Sequence, residues 1–261
     1  MVRKKNMKGL DQESMEFIDS YNVDHTIGNT NSYVNCSKAL DYKVNLKCKN
    51  EKQKQYHKLI KEKEVTCCAG SAGTGKSYIA LATALELLKG DNSFKKIMIV
   101  VPTIQSDIEV GFLKGSLDEK IMPHAQAHLY TLEKILNNSG NVGKLALKTL
   151  IDCGLIEFKC VSFMRGMTID NTIVIIEEAQ NLPKSALKTL LSRIGDNSKY
   201  IISGDYEQVD NKPLKRNVNL CGLKYVIDTY AEMEEIGTIE FTKNEIVRNP
   251  LITKILDKWE D

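Results

Sequence analysis

Val65-Thr66-Cys67-Cys68-Ala69-Gly70-Ser71-Ala72-Gly73-Thr74-Gly75-Lys76-Ser77-Tyr78-Ile79-Ala80 decides the fold. The apolar run Val65–Ala69 breaks into a glycine-rich loop, and a helical pattern follows at once. Ile79, Ala80, Ala82, Ala84, Leu85, Leu87 and Leu88 give that helix an apolar side, and it stops near Gly90. Gly70 to Ser77 fit the phosphate-binding loop G-x-x-x-x-G-K-[ST], here in its strand–loop–helix setting. Gly70, Gly73 and Gly75 let the backbone curl around Ser71, Ala72 and Thr74, so that successive N–H groups point into one concavity. The first helical turn adds unpaired N–H groups and a positive dipole end. Lys76 would bring a mobile charge to the β- and γ-phosphates of a nucleotide. The Ser77 hydroxyl is placed to ligate Mg²⁺.

Working outward, the same strand-then-polar pattern recurs. Lys96–Val101 reads as a strand ended by Pro102, Ile156–Val161 as another, and Thr172–Ile176 as an apolar run expected of a strand buried on both faces. That last run delivers Glu177 and Glu178, two carboxylates where a phosphate site needs them: one acts on Mg²⁺, the next orients the attacking water. Alternation along the strand sends the two to opposite sides. Tyr200–Ser203 is a further strand, ending in Gly204-Asp205-Tyr206-Glu207-Gln208, and Thr238–Phe241 a last one. Helices are expected from Asn50, a candidate N-cap, over Leu117–Leu136 with a break at Pro123, to about Ile151, from Pro183 to Arg193, over Leu223–Met233, and from Asn249-Pro250 to Trp259. Asp210–Asn219 reads as a polar, basic loop. Strands alternating with helices, each polar signal after a strand, imply one parallel sheet covered on both faces.

Composition sets the remaining bounds. The 261 residues are 42% hydrophobic and 27% charged with a net charge of +2, as in an ordinary globular protein, and a core of useful size can be buried. No apolar run is long enough to span a membrane, and the basic start Met1–Lys5 lacks a following apolar region, so a cytoplasmic protein is expected. Seven scattered cysteines without a C-x-x-C pair favour a reducing compartment over a disulfide framework or zinc site. Residues 1 to about 45 are polar with weak periodicity and read as an N-terminal extension; the domain proper is expected from 46 to 261. Between Lys47 and Lys63 stand seven lysines, either a solvated helix face or a phosphate-contacting one.

With these segments laid out, the chain resembles the PhoH family of P-loop ATPases, from roughly Lys49 to Leu256. The resemblance rests on Asn50-Glu51-Lys52-Gln53, Gly70–Ser77, Gly111-Phe112-Leu113-Lys114-Gly115, Phe163-Met164-Arg165-Gly166, Glu177–Asn181, Arg193-Ile194-Gly195, Gly204-Asp205 with Gln208, and Val247-Arg248-Asn249-Pro250. Several of these also look like superfamily 1 helicase motifs. The resemblance implies a three-layer α/β RecA-like P-loop NTPase core, hydrolysis of ATP with Mg²⁺, and a link to RNA or single-stranded nucleic acid, unwinding included. It casts Gln53 as a reader of adenine, Glu177 with Ser77 as the metal side, and Lys76, Glu178, Gln208 and Arg248 as the catalytic groups. Arg248 would be an arginine finger. The chain departs from the family at Glu177, where aspartate is usual, at Val101, where arginine is common, and at Lys114, where proline is common. No second RecA-like half follows, so a neighbouring subunit is expected to supply the other wall of the cleft, Arg248 included, in a hexameric ring. Two other classes share the loop: a small-molecule phosphotransferase and a nucleotide-gated assembly protein that closes a ring without turnover.

Overall fold

The computed structural model describes residues 36–101, 117–137 and 142–248, together with 251 and 258. Six strands, β1 (Val65–Gly70), β2 (Lys96–Val101), β3 (Ile156–Cys160), β4 (Thr172–Ile176), β5 (Lys199–Gly204) and β6 (Ile236–Phe241), form one sheet in the order β3-β2-β4-β5-β1-β6. All five pairings are parallel. The helices are α1 (Glu51–Glu62), α2 (Lys76–Gly90), α3 (Leu117–Leu136), α4 (Val142–Asp152), α5 (Lys184–Leu191), α6 (Lys212–Arg216) and α7 (Gly222–Tyr230). The chain thus forms the expected α/β core with a parallel sheet between helical layers.

Side-chain alternation sorts the layers. Val65, Cys67, Ala69, Met98, Val100, Val174, Ile176, Tyr200 and Ile202 share one face with Leu187 and Leu190 of α5 and Leu223, Val226 and Ile227 of α7. α2 and α3 pack on the opposite face. Ile79, Leu81, Leu85 and Leu88 of α2 are buried, each contributing about 1.5–3 kcal/mol. β4 is buried along its whole length because helices cover both faces.

Parallel pairing has one consequence that matters for function. All six strands release their chains at the same sheet edge, so the loops after β1, β4, β5 and β6 gather there. β5 lies between β1 and β4, which spaces the glycine-rich loop from the carboxylates after β4 by one strand.

Some expectations need correction. Helix α3 runs unbroken through Pro123; Ala125, Leu129, Leu132, Ile135 and Leu136 are buried beyond it, and that packing outweighs one lost ladder bond. The segment expected as a basic loop contains α6, started by Asn211, whose side chain accepts from Leu214 N at 3.3 Å, and anchored by buried Leu214. Cys36 and Cys153 are joined in a disulfide, against the expectation of none. The Gly111–Gly115 motif, Asn249-Pro250, most of the helix expected beyond them and the extension up to residue 35 lie outside the described residues. No described helix is long and apolar enough to cross a membrane.

Candidate nucleotide site

The loop begins where β1 ends. Gly73 and Gly75 take positive φ angles of 85° and 89°, and Gly75 stands at the N-cap of α2 without a side-chain cap. A β-carbon at Gly75 would also lie 2.9 Å from Gln53 Nε2, so glycine meets both the conformation and the close approach. Thr74, buried, closes the loop on itself by donating its hydroxyl to Ser71 O at 2.9 Å. Lys76 Nζ folds back onto the Gly70 and Ser71 carbonyls, at 2.5 and 3.0 Å.

Ser77, on the first turn of α2, donates to Glu177 Oε2 at 2.6 Å. Glu177 is 3% exposed, and its Oε1 has no hydrogen-bond partner among the described residues. A buried carboxylate oxygen without a donor is costly unless a cation or its hydration shell answers it. A hydroxyl beside a carboxylate is also the hard-oxygen donor set that Mg²⁺ takes. These residues fit the metal.

Glu178 is separated from Glu177 by more than strand alternation. β4 ends at Ile176, and Glu178 takes a left-handed conformation, φ 53°, which turns it out to solvent. Such a conformation costs a non-glycine residue about 1–3 kcal/mol and persists only when its surroundings hold it. The holding groups are the Asn181 N–H, donating to Glu178 O at 3.0 Å, and the Gln180 amide, donating to Glu178 Oε2 at 2.6 Å. Gln208 is exposed in the loop after β5; its amide donates to Asp205 Oδ2 at 3.0 Å.

Gln53 is buried at the start of α1, where Asn50 caps the helix by accepting from Gln53 N at 2.8 Å. Its amide donates to Thr74 O at 2.8 Å and accepts from Lys49 N at 2.7 Å. That leaves one amide hydrogen and one lone pair. Arg248 is exposed beside the loop of its own chain. Its stem lies against its own loop, Cδ within 3.3 Å of where a Gly73 β-carbon would sit, and the Val247 N–H donates to Gly73 O at 3.1 Å.

The lysine run divides. Lys49, Lys52 and Lys63 donate to the carbonyls of Val247, Glu240 and Glu234, and Lys54, Lys58 and Lys61 pair with Glu51, Glu62 and Glu86. Lys52 and Lys61 tie α1 to β6 and α2, whereas Lys54 and Lys58 pair within the helix and stay exposed to solvent. Arg165, Lys212, Lys215 and Arg216 are exposed as well, on the segments after β3 and β5.

Sequence reasoning gave no role to Gln180, which is fully buried. The signal was available: an amide two residues beyond the second carboxylate, in a segment too short to be repetitive helix.

The sequence model of the family described as PhoH-like protein matches residues 45–260. A PhoH-like protein of Bacillus subtilis is 33% identical over 215 residues, covering 82% of this chain and 64% of that protein. Protein PhoH of Escherichia coli is 34% identical over 211 residues, covering 81% and 57%. The chain therefore spans less than two thirds of the length of these relatives. Among solved structures, the large terminase of a thermophilic bacteriophage is similar with a TM-score of 0.43 at 10% identity, over 80% of this chain and 49% of that one. Pif1 helicase from Candida albicans is similar with a TM-score of 0.40 at 14% identity, over 83% and 45%.

Proposed function

The chain belongs to the PhoH-like protein family, and from that premise we propose that it binds ATP with Mg²⁺ on the loop Gly70–Ser77 and hydrolyses it in connection with RNA or single-stranded nucleic acid. The observation that carries this reading is the Ser77–Glu177 contact beside a buried carboxylate oxygen without a partner. Ser77 and Glu177 would hold the metal, which when bound neutralises charge between the β- and γ-phosphates. Glu177 stands where aspartate is usual, and its carboxylate reaches the Ser77 hydroxyl directly.

The chain's own groups divide the remaining work. The loop N–H groups and the α2 N-terminus bind phosphate oxygens. Lys76 leaves the Gly70 and Ser71 carbonyls for the phosphates, exchanging neutral partners for charged ones. Glu178, exposed and ionisable beside the metal side, orients the attacking water and accepts its proton. Gln208 senses the γ-phosphate, and Gln53 reads adenine with its remaining donor and acceptor. Arg248 offers its guanidinium to the developing phosphoryl charge, and its position against Gly73 supports action within its own chain. Arg165, Lys212, Lys215 and Arg216 supply phosphate contacts to a nucleic acid, and Phe163, 47% exposed beside Arg165, a stacking surface. A ring-forming homo-oligomer remains part of the proposal; a size measurement with ATP at micromolar concentration that shows monomer only removes it.

Phosphate release, measured with and without single-stranded RNA and DNA at two salt concentrations, tests the reading. Release that a strand stimulates at low salt and less at high salt is expected, with loss of about 100-fold or more in Glu178→Gln. Unchanged release in Glu178→Gln overturns the catalytic assignment. ATP binding without release supports the nucleotide-gated assembly protein instead.

A further inference from the structure

Gln180 lies between the loops that follow β4 and β5. Its Nε2 donates to Glu178 Oε2 at 2.6 Å and to Gln208 O at 3.0 Å, and its Oε1 accepts from Asp205 N at 3.0 Å. The backbone partners fix which way the amide faces, because a carbonyl needs the NH₂ end and an N–H needs the oxygen. The side chain is fully buried, so both amide hydrogens are committed inside the protein. A β-carbon at residue 204 would lie 2.6 Å from Gln180 Oε1, and glycine there leaves the room. Asp205 completes the circuit by accepting from the Gln208 side chain and from Glu207 N, both at 3.0 Å.

We propose that Gln180 is a positioning residue that couples the carboxylate of Glu178 to the loop carrying Gln208. The inference rests on the hydrolytic reading above. One amide holds the oxygen that orients water and the backbone of the γ-phosphate sensor, so a shift of the Gln208 loop moves Glu178. The left-handed backbone of Glu178 makes such a brace necessary: a strained turn relaxes when its partners go. Methionine at 180 keeps the length and apolar stem but removes both donors. Glutamate keeps the shape and places a second carboxylate against Glu178, with Glu177, Asp205, Glu207 and Asp210 the other carboxylates of the two loops. Two carboxylates at hydrogen-bond distance share a proton.

The test measures phosphate release and binding of a fluorescent ATP analogue over about pH 6 to 9 for the full chain and for E178Q, Q180M and Q180E. Q180M is expected to lower kcat about tenfold or more with analogue affinity within about threefold of the parent. Q180E is expected to move the acid limb of the kcat profile upward by about one pH unit or more. Wild-type kcat in Q180M overturns the assignment, as does parallel loss of kcat, affinity and melting temperature, or a Q180E profile superposed on the parent. Q180M adds no charge and carries the test if Q180E does not fold. Release by the parent, lost in E178Q but normal in both Gln180 variants, removes this inference alone. No release by the parent removes the hydrolytic reading and this inference with it.

Discussion

Gly70→Ala probes the junction at which sheet becomes phosphate loop. Gly70 has φ 147°, and a β-carbon there would lie 2.4 Å from Phe241 O and 2.6 Å from Phe241 Cβ. Neither neighbour can swing away. Phe241 is the paired residue of β6, its side chain is 3% exposed, and its ring meets Tyr56 edge-on with centroids 6.0 Å apart. Ordinary contact starts at 3.4 Å, so β6 must withdraw by the difference, 1.0 Å, or the end of β1 must tilt. The backbone conformation costs alanine about 1–3 kcal/mol, overpacking about 1–3 kcal/mol more, and a weakened terminal ladder about 1 kcal/mol. A total of roughly 3–7 kcal/mol corresponds to a fall in melting temperature of about 6 °C or more for a domain of this size. Gly90→Ala is the control. Residue 90 ends α2, and nothing lies within 4 Å of its β-carbon position. Alanine there is expected to raise the melting temperature by roughly 1–4 °C. Thermal denaturation of the two variants side by side checks both signs. A Gly70→Ala protein melting within about 3 °C of the parent refutes the close approach of β6.

Two further outcomes follow from burial. Of the five free thiols, Cys48 is half-buried and Cys67, Cys68, Cys160 and Cys221 are buried; burial pushes Cys67 up to about 12 and Cys68 higher still. A thiol-reactive disulfide reagent should therefore titrate about one thiol in native protein, five after unfolding, and all seven after prior reduction. Rapid native reaction of three or more contradicts that core, and seven without reductant denies the Cys36–Cys153 bond. His57 is held below its ordinary 6.5, first by burial and then by Lys61, against the opposing pull of Glu86. Thr83 donates its hydroxyl to Ile79 O and must accept from His57 Nδ1, which leaves Nε2 to take any added proton. A depressed folded value means that the unfolded chain binds the proton more readily. Stability is unaffected above 6.5 and is lost as pH falls below it toward the folded value. His57→Gln should flatten the decline in melting temperature between about pH 7 and 5; equal declines in both proteins would remove His57 from the account.

How much was legible follows from the range of each interaction. The glycine loop, the Asn50 cap and the strands from Lys96 to Val101 and from Thr172 to Ile176 are set by neighbours in sequence, because conformational freedom, capping and periodicity act over a few residues. Residue type alone also marked Glu177 and Glu178 as candidates at one strand end and a polar cluster from Gly204 to Gln208 at another, whereas the role of Gln208 came with the family resemblance. The break at Pro123 was misread because local propensity was weighed without the packing of Leu129 and Leu132. Strand order was not legible: β5 between β1 and β4 is chosen by how crossovers pack. With that order come the Ser77–Glu177 contact across 100 residues and the Gln180 bridge across 28. The lysines of 49–63 show the same limit: charge left open a solvated or a phosphate-contacting face, and only the fold gives Lys52, Lys61 and Lys63 partners elsewhere in the chain. Arg248 shows it again, lying on its own Gly73 because β6 is the neighbour of β1. The sequence by itself determined which residues can carry the chemistry. The tertiary structure decided which of them meet, because contact between distant residues depends on the path of the whole chain.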